Sequence, residues 1–207
     1  MKLRYLGLAT LALLASCAST SKEDEHDWLR PSANLRKQIE DQVTRLPWTH
    51  GIERIEQIAW FASVGEPAYP YLLELCSDPR PDVAACAVAA LGATGDSRLV
   101  EPLHQVQWTT DTAPAVRYER ARAYLRLGDW SQIGVLVDGL ESEDSWTRAL
   151  CLASLKESTR IDHDFDPSGE EQARAEAVVR WRNWIASRQN EGLVASAGKA
   201  PVETPKR

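Results

Sequence analysis

Three glycine–acid pairs recur along the chain and constrain its fold more than any other feature. Gly65-Glu66, Gly95-Asp96 and Gly128-Asp129 lie 30 and then 33 residues apart, and each separates one aliphatic or alanine-rich stretch from the next. Glycine takes the left-handed conformation that ends a helix, and an acid beside it caps the helix that follows. The recurrence therefore predicts stacked pairs of helices that are joined by tight turns.

The apolar residues between these turns have helical spacing. In the central unit Val83, Ala87 and Leu91 lead to Gly95, and Leu99 follows it on the next helix. Spacings of three and four place such residues on one face of a helix. The sequence therefore predicts an all-α fold. The first-helix stripes predicted for the outer two units are Ile52, Ile55, Ala59 and Ala62, and then Val116, Ala121, Ala123 and Leu125.

Residues 82–103, DVAACAVAALGATGDSRLVEPL, resemble the HEAT-like repeat of the type first noted in phycobilisome lyases. In that repeat a valine and alanines precede a glycine–aspartate turn and a second apolar helix. Residues 116–140 are similar except that Arg120 stands where the pattern has a small residue, and residues 146–155 match more weakly. The resemblance implies a short α-solenoid of about four helical hairpins over residues 32–190.

Both ends of this solenoid need a covering helix, because a terminal unit has no neighbour on one side. Residues 32–46 predict an amphipathic N-terminal capping helix. At the other end, an aspartate-rich loop precedes a helix that carries Trp181 and Trp184 on one face, since they are three residues apart. This Trp-bearing helix is predicted to cap the C-terminal side. The stripe of the N-terminal helix is Leu35, Ile39, Val43 and Leu46.

The first seventeen residues predict export. Lys2 and Arg4 precede an apolar run over residues 6–15, which is an export-signal pattern and is too short to span a membrane. Leu14-Ala15-Ser16-Cys17 resembles the lipobox of bacterial lipoproteins. The resemblance implies removal of residues 1–16, acylation of Cys17 and a tether to the bacterial cell envelope, exposed to the periplasm or outer surface. An uncleaved anchor and an ordinary secretory signal stay open as alternatives.

Two segments flank the predicted solenoid. Residues 17–31 are expected to form a flexible linker after the acylated Cys17, and residues 191–207 a disordered tail, because both are polar or rich in alanine, proline and lysine. The net charge of −6 argues against nucleic acid as a partner, since phosphate binding needs a basic face. The densest arginine cluster, Arg117 to Arg126, is interrupted by Glu119 and predicts a solvated helix face.

Apart from Cys17, three cysteines lie in apolar helical stretches. Cys76, Cys86 and Cys151 are predicted to be buried free thiols that act as small hydrophobic residues. A disulfide between Cys76 and Cys86 stays open, because an exported protein meets oxidising conditions. No pair has the CxxC spacing of a zinc or redox site.

No motif identifies a reaction, a cofactor or a small-molecule substrate. The four histidines are scattered, and neither a G-x-S-x-G context nor a glycine-rich phosphate loop occurs. Asp162, Asp164 and Asp166 resemble the start of a calcium loop, but Pro167 and Ala173 occupy the glycine and glutamate positions. We therefore predict a turn rather than a metal site. An enzyme of the bilin-lyase type, which the resemblance implies as a weaker alternative, conflicts with the export signal.

The eight tryptophans differ in predicted role. Trp60, Trp146, Trp181 and Trp184 fall on predicted apolar faces and are expected in the core. Trp108 and Trp130 fall at helix ends or in turns, where an aromatic ring serves either packing or recognition. Packing is the preferred interpretation for both.

The candidate binding surface follows from the resemblance, because the second helices of HEAT-like hairpins line the concave face. Counted from each glycine, six residues on these helices lie off the core stripe, and they predict an acidic face for an unknown protein partner with a basic or polar surface. The sequence thus predicts a membrane-tethered, non-catalytic scaffold or adaptor, with a structural or assembly factor of the envelope as the alternative. The six residues are Tyr71, Glu74, Glu101, His104, Gln105 and Asp138.

Overall fold

The computed structural model describes residues 27–109 and 113–190, and over these ranges the chain forms helices and no strand. The predicted all-α fold is confirmed. The signal at residues 1–16, Cys17 with most of the linker, and the tail at residues 191–207 lie outside the described residues. The helices are α1 (Ala33–Arg45), α2 (Gly51–Val64), α3 (Tyr69–Leu75), α4 (Pro81–Ala93), α5 (Val100–Gln105), α6 (Pro114–Arg126), α7 (Ile133–Gly139), α8 (Ser145–Thr159) and α9 (Glu171–Asn190).

All three predicted turn glycines have positive φ angles. The φ angles are 69° at Gly65, 67° at Gly95 and 91° at Gly128. Glycine adopts these angles readily because it has no Cβ atom. The Asp96 side chain caps the following helical turn by accepting a hydrogen bond from the Arg98 backbone N–H at 3.1 Å. Asp129 accepts in the same way from the Ser131 backbone N–H at 2.8 Å, but α7 begins later and has no side-chain cap. The positive φ of the glycine is confirmed at each turn, and helix capping by the acid at one.

Helices that are two apart in sequence pack against one another along the chain. Helix α2 packs on α4, α4 packs on α6, and α6 packs on α8. The α4–α6 approach is close, because a Cβ atom on Gly92 would lie 2.7 Å from both Cα and Cβ of Ala123. Helix α3 also packs on α4, and α7 packs on α6, α8 and α9.

Two apolar clusters form most of the core. The first contains Phe61, Leu72, Leu91 and Tyr124, all of them buried. The second is centred on Leu136, Leu155 and Trp181, and it joins α6 and α7 to α8 and α9. Trp181 is fully buried, as predicted, and Trp184 is half-buried beside it with ring centroids 5.8 Å apart. Trp60 and Trp108 pack against the first cluster, and Trp130 packs against the second.

The predicted stripe of α2 is wrong. Ile52 and Ile55 are 75% and 66% exposed, and the buried residues of this helix are Gln57 and Phe61. Gln57 takes the inward position because its amide donates to the Gln42 backbone carbonyl at 2.7 Å and its oxygen accepts from the Thr49 hydroxyl at 2.8 Å. Buried polar groups are tolerated when they are hydrogen-bonded. The helix is therefore rotated relative to the apolar pattern.

Trp146, which was predicted in the core, is exposed because another polar residue faces inward in its place. Trp146 is 75% exposed in the first turn of α8, whereas Arg148 is buried there. The Arg148 guanidinium donates to the backbone carbonyls of Ser142, Glu143 and Pro167 at 2.7–2.8 Å. An inward arginine that binds three carbonyls holds the helix in a register that leaves Trp146 in solvent.

The N-terminal arm packs against the helices before α1 begins. The rings of Trp28 and Tyr69 meet edge to face with centroids 5.0 Å apart, and the Leu29 backbone N–H donates to Glu66 at 3.1 Å. Trp28 and Leu29, which the sequence assigned to the linker, thus contact the helical part of the chain. At the start of α1, the Ser32 side chain caps the helix by accepting from the Leu35 backbone N–H.

Candidate functional site

The six predicted binding residues lie on the helices where the sequence placed them. Tyr71 and Glu74 are on α3, and Asp138 is on α7. All are solvent-exposed except Tyr71, which is half-buried. Tyr71 and Glu74 line one groove, whereas the α5 and α7 residues line none of the larger cavities. The three residues on α5 are Glu101, His104 and Gln105.

The largest groove that contains a predicted residue lies between the N-terminal arm, α1 and the start of α3. Its volume is about 620 Å³. Aromatic and proline side chains form much of its wall, with charged side chains at the rim. The lining residues are Asp27, Trp28, Leu29, Arg30, Pro31, Arg36, Glu40, Pro67, Pro70 and Tyr71.

A second cavity of about 380 Å³ continues along the same two helices. Tyr71 lines both cavities, so they lie next to each other along α1 and α3. We refer to the two together as the α1–α3 groove. Along α1 the wall residues Arg36, Glu40 and Val43 follow helical spacing, as expected for one face of a helix. The second cavity is lined by Val43, Tyr71, Glu74, Leu75, Ser77 and Asp78.

The Trp28 wall of the groove is held by contacts from two later turns. The Arg98 guanidinium lies 5.4 Å from the Trp28 ring centroid and forms ion pairs with Glu66 and Asp96. The hydrogen bond from Arg98 lowers the pKa of the Glu66 carboxyl below its ordinary value, and the Leu29 N–H contributes in the same direction. Charge-assisted hydrogen bonds stabilise the ionised form. The arm is therefore attached to the fold at Trp28 and Leu29.

The groove carries charges of both signs. Asp27, Arg30, Arg36 and Glu40 all line the end formed by the N-terminal arm and α1, and Glu74 and Asp78 line the other. Among the described residues, the side chains of Arg30, Arg36, Glu40 and Glu74 make no hydrogen bond or ion pair. In contrast, Asp78 binds Arg80 at 2.6 Å, and this hydrogen bond lowers the pKa of its carboxyl.

His104 links two neighbouring helical pairs. Its Nε2 lies 3.0 Å from Oδ2 of Asp129, and its ring stacks on Tyr124 with centroids 4.6 Å apart. Asp129 is 4% exposed and also accepts from the Ser131 backbone N–H at 2.8 Å. Through these contacts His104 contributes to the packing of α5 against α6.

Asp138 is also engaged within the fold. Its carboxylate lies 3.6 Å from the Arg117 guanidinium and 3.4 Å from that of Arg182, which also pairs with Glu141. These pairs join α7 to α6 and α9. On α5, Glu101 accepts from the Gln105 amide at 3.3 Å. Of the predicted acidic residues, Glu74 keeps its carboxylate without such a partner among the described residues.

Sequence reasoning missed the α1 wall of the groove and the contribution of the arm. The overlooked signal was the proximity of Trp28 and Pro31 to a predicted helix, together with two prolines, Pro67 and Pro70, just after the first glycine turn. Sequence reasoning also missed an exposed apolar set, Trp48, Ile52 and Ile55, at and after the α1–α2 connection.

The remaining chemical candidates have structural roles. Asp162 accepts from Lys156 and from the Asp164 backbone N–H, and Asp166 accepts from the Ser168 backbone N–H. Within the described ranges, no three histidine, cysteine or carboxylate side chains come together as a metal site would require. Cys76, Cys86 and Cys151 are buried free thiols, as predicted, and burial raises the pKa of Cys86 and Cys151 to about 12. Buried thiols of this kind are poor nucleophiles.

No protein-family model matches the chain, and no curated protein is significantly similar to it in sequence. In the part of the chain that the structure describes, none of the helices has the length and apolar character needed to cross a bilayer.

Proposed function

We propose that this chain is a lipid-anchored helical-repeat scaffold of the bacterial cell envelope that binds a protein partner through the α1–α3 groove. In this proposal α2, α4, α6 and α8 form one layer of a short HEAT-like solenoid. The shorter intervening helices, together with α1 and α9, form the other layer. The contacts of α2 with α4, of α4 with α6 and of α6 with α8 support the first layer, and the contact of α7 with α9 supports the end of the second.

The intervals between bonded side chains support a repeat of about thirty residues. Four side-chain hydrogen bonds between successive units join residues that are 28 to 32 apart in sequence, and two more, from Tyr69 to Asp96 and from His104 to Asp129, span 27 and 25. This interval is close to the spacing of the glycine–acid turns. A stack in which each unit contacts the next is expected to produce such a constant separation. The bonded pairs are Arg54 with Asp82, Glu66 with Arg98, Ser77 with Thr109, and Arg126 with Glu157.

The observation that carries the binding role is the composition of the α1–α3 groove. Tyr71 lines two cavities whose walls combine aromatic, proline and aliphatic side chains with charged ones, and Glu40 and Glu74 have no partner among the described residues. Protein-recognition sites combine apolar contacts with polar groups that stay accessible to solvent. Aromatic side chains in such sites supply much of the binding energy.

Photocrosslinking in intact cells tests the proposal. A benzoylphenylalanine at position 71 should crosslink one partner protein, which mass spectrometry of the detergent-solubilised adduct identifies. The same probe at position 143, on the exposed loop before α8, is the matched control. Crosslinks that are equal in identity and yield at both positions would place the binding surface elsewhere.

A further inference from the structure

Helix α2 carries an apolar face that the described residues leave in solvent. Ile52 and Ile55 are largely exposed, and the exposed Ala59 continues their row at spacings of three and four residues. Since successive residues of a helix are rotated by about 100°, these three side chains lie on the opposite side of α2 from the buried Gln57 and Phe61. We refer to Ile52, Ile55 and Ala59 as the outer face of α2. Contiguous exposed apolar surface of this kind marks an interaction site.

The neighbouring helix does not expose such a face. The glycine turns set an offset of 30 residues between α2 and α4, so the outer face of α2 corresponds to Asp82, Ala85 and Ala89. Ala85 is buried in a small cluster with Val116, and Trp108 packs against this cluster. The chain thus covers a small side chain on α4, whereas it leaves two isoleucines on α2 uncovered.

The exposed apolar area is close to what one side of a dimer interface needs. Trp48, four residues before Ile52, is 79% exposed. Together with Ile52 and Ile55 it presents roughly 400 Å² of apolar surface. A standard protein interface buries about 800 Å² on each partner, of which about 56–65% is apolar. These three side chains therefore supply most of the apolar area of such an interface.

The order of side chains on the outer face is complementary to itself. When two copies of α2 lie antiparallel about a two-fold axis near Ile55, Ile52 of one copy lies opposite Ala59 of the other. The same pairing occurs in reverse on the other side of the axis. A bulky residue then meets a small one at both positions, which is how facing helices interdigitate. Spacings of three and four residues are also those of a helix–helix interface.

The charges that flank the outer face distinguish between two possible occupants. On the α1 side Arg45 pairs with Glu53 at 2.7 Å, and Glu56 lines the same cavity without a partner among the described residues. On the α4 side Arg54 pairs with Asp82 at 3.0 Å. Each side thus carries both signs, as a surface that binds its own copy requires. An anionic bilayer surface selects instead for basic residues.

We infer that two copies of this chain pair through the outer faces of their α2 helices, antiparallel about a two-fold axis near Ile55. The outer face lines neither cavity of the α1–α3 groove, so the inference does not depend on the proposed partner site. Its consequence for the scaffold does rest on the proposed function. A pair presents two grooves and two anchors, and such bivalent attachment increases avidity without a new contact.

Sedimentation equilibrium of the full chain in density-matched detergent tests the pairing. We expect the mass of a dimer, with a dissociation constant in the micromolar range. The double variant Ile52→Glu, Ile55→Glu should raise that constant at least tenfold at an unchanged melting temperature, because both side chains are exposed in the single chain. Val179→Glu is the matched control, since Val179 is an exposed apolar residue on α9, and it should leave the dimer intact.

Disulfide formation tests the antiparallel arrangement. A cysteine at Ile55 lies near the two-fold axis and should form a disulfide with its counterpart in the other copy. A cysteine at the exposed Ser63 should not, because eight residues on each helix separate it from its counterpart by about 24 Å along the axis. The wild-type chain, whose thiols at Cys76, Cys86 and Cys151 are buried, gives the background yield.

Three outcomes would overturn the inference. These are a monomer at every concentration, a dimer that Ile52→Glu, Ile55→Glu leaves unchanged, and equal disulfide yields from Ile55→Cys and Ser63→Cys. If Cys17→Ala protein is monomeric and binds phosphatidylglycerol vesicles, and if Ile52→Glu, Ile55→Glu abolishes this binding, the outer face binds lipid instead of a second copy. Capture of a partner at position 71 is measured separately in cells, so failure of the pairing and failure of the proposed function are distinguishable.

Discussion

Arg160 directly follows α8 with a positive φ angle, much as Gly128 follows the C-cap residue of α6. Each residue follows the last turns of its helix with a positive φ angle, 63° at Arg160 and 91° at Gly128. The interval between them is 32 residues, close to the 33 that separate Gly95 from Gly128. Helix α8 is thus also followed by a residue with a positive φ angle, an arginine where α2, α4 and α6 have glycine.

Replacing Arg160 with glycine should stabilise the protein. The left-handed conformation costs an L side chain about 1–2 kcal/mol, and part of the gain is lost to the greater freedom of glycine in the unfolded chain. The net expectation for Arg160→Gly is an increase of about 0.5–1 kcal/mol in the free energy of unfolding. Urea denaturation measures it. Gly128→Ala should shift the midpoint in the opposite direction, and an unchanged midpoint in both variants would contradict the strain argument.

The turns could be predicted from sequence because a positive φ angle strongly favours glycine. The recurrence of Gly65, Gly95 and Gly128 therefore located the ends of three helices. The rotation of α2 and α8 could not be predicted, because Gln57 and Arg148 face inward through hydrogen bonds to backbone carbonyls. An apolar pattern gives no sign of such bonds. The turn at Arg160 could not be predicted either, because an arginine gives no indication of a positive φ angle.

The close packing of α4 on α6 should make Gly92 intolerant of a side chain. A Cβ atom there would lie 2.7 Å from the Ala123 backbone Cα, so the two helices would have to separate. Overpacking of this kind costs about 1–3 kcal/mol, and we expect Gly92→Ala to lower the free energy of unfolding by about 2 kcal/mol. Gly134→Ala in α7 is the matched control, because no atom lies within 4 Å of its Cβ position.

The control should be neutral or stabilising by about 0.5 kcal/mol, since alanine is the better helix former. Thermal unfolding followed by circular dichroism measures both variants. Equal midpoints for Gly92→Ala and Gly134→Ala would mean that α4 and α6 do not approach as closely as the distance requires.

Stability should fall as the pH drops below about 6.5 through the titration of His163. Burial against Trp181, with the Arg180 charge nearby, lowers the pKa of His163 from its ordinary value of 6.5. The unfolded chain therefore takes up this proton first, so stability rises with pH in this window and is full above the unfolded pKa. Below the pKa of the unfolded chain, the stability contributed by neutral His163 is lost as the pH falls towards the pKa of the folded chain.

The variant His163→Asn isolates this effect, because asparagine tolerates the φ of 53° at this position. We compare the slope of unfolding free energy against pH between pH 7.5 and 5 in the two proteins. The wild-type slope should exceed that of the variant. Parallel slopes would show that His163 is protonated as easily in the folded chain as in the unfolded one.

The candidate site was predictable on one wall only. Tyr71 and Glu74 follow from counting along the helix after Gly65, because that turn fixes where α3 begins. The opposite wall depends on how α1 lies against α3 and on the return of Trp28 to Tyr69, which are contacts between segments more than thirty residues apart. The local order of apolar and polar residues in the sequence contains no information on such contacts. For Asp138, sequence alone did not reveal that Arg117 and Arg182 already pair with it.

The lipid tether has a direct test at Cys17. If this cysteine carries the acyl chains, Cys17→Ala removes the anchor, since several acyl chains are needed for stable attachment and no described helix is able to span a membrane. The variant should appear in the soluble fraction after cell lysis, whereas Cys76→Ala should fractionate with the wild type. Membrane fractionation of Cys17→Ala that matches the wild type would remove the tether from the proposal.

Charge reversal on the exposed helix faces should separate binding from folding. Glu74 has no hydrogen bond or ion pair among the described residues, so Glu74→Lys should weaken partner capture about twofold to fivefold, the range of one exposed ion pair, at unchanged melting temperature. Glu101→Lys should have a smaller effect, because Glu101 lies outside the groove.

Asp138→Lys should instead lower the melting temperature, since a lysine there faces the guanidinium groups of Arg117 and Arg182. Glu143→Lys is the control for net charge. Quantitative pull-down and thermal unfolding on the same preparations distinguish the cases, and equal capture by Glu74→Lys and Glu143→Lys would exclude the α1–α3 groove as the binding surface.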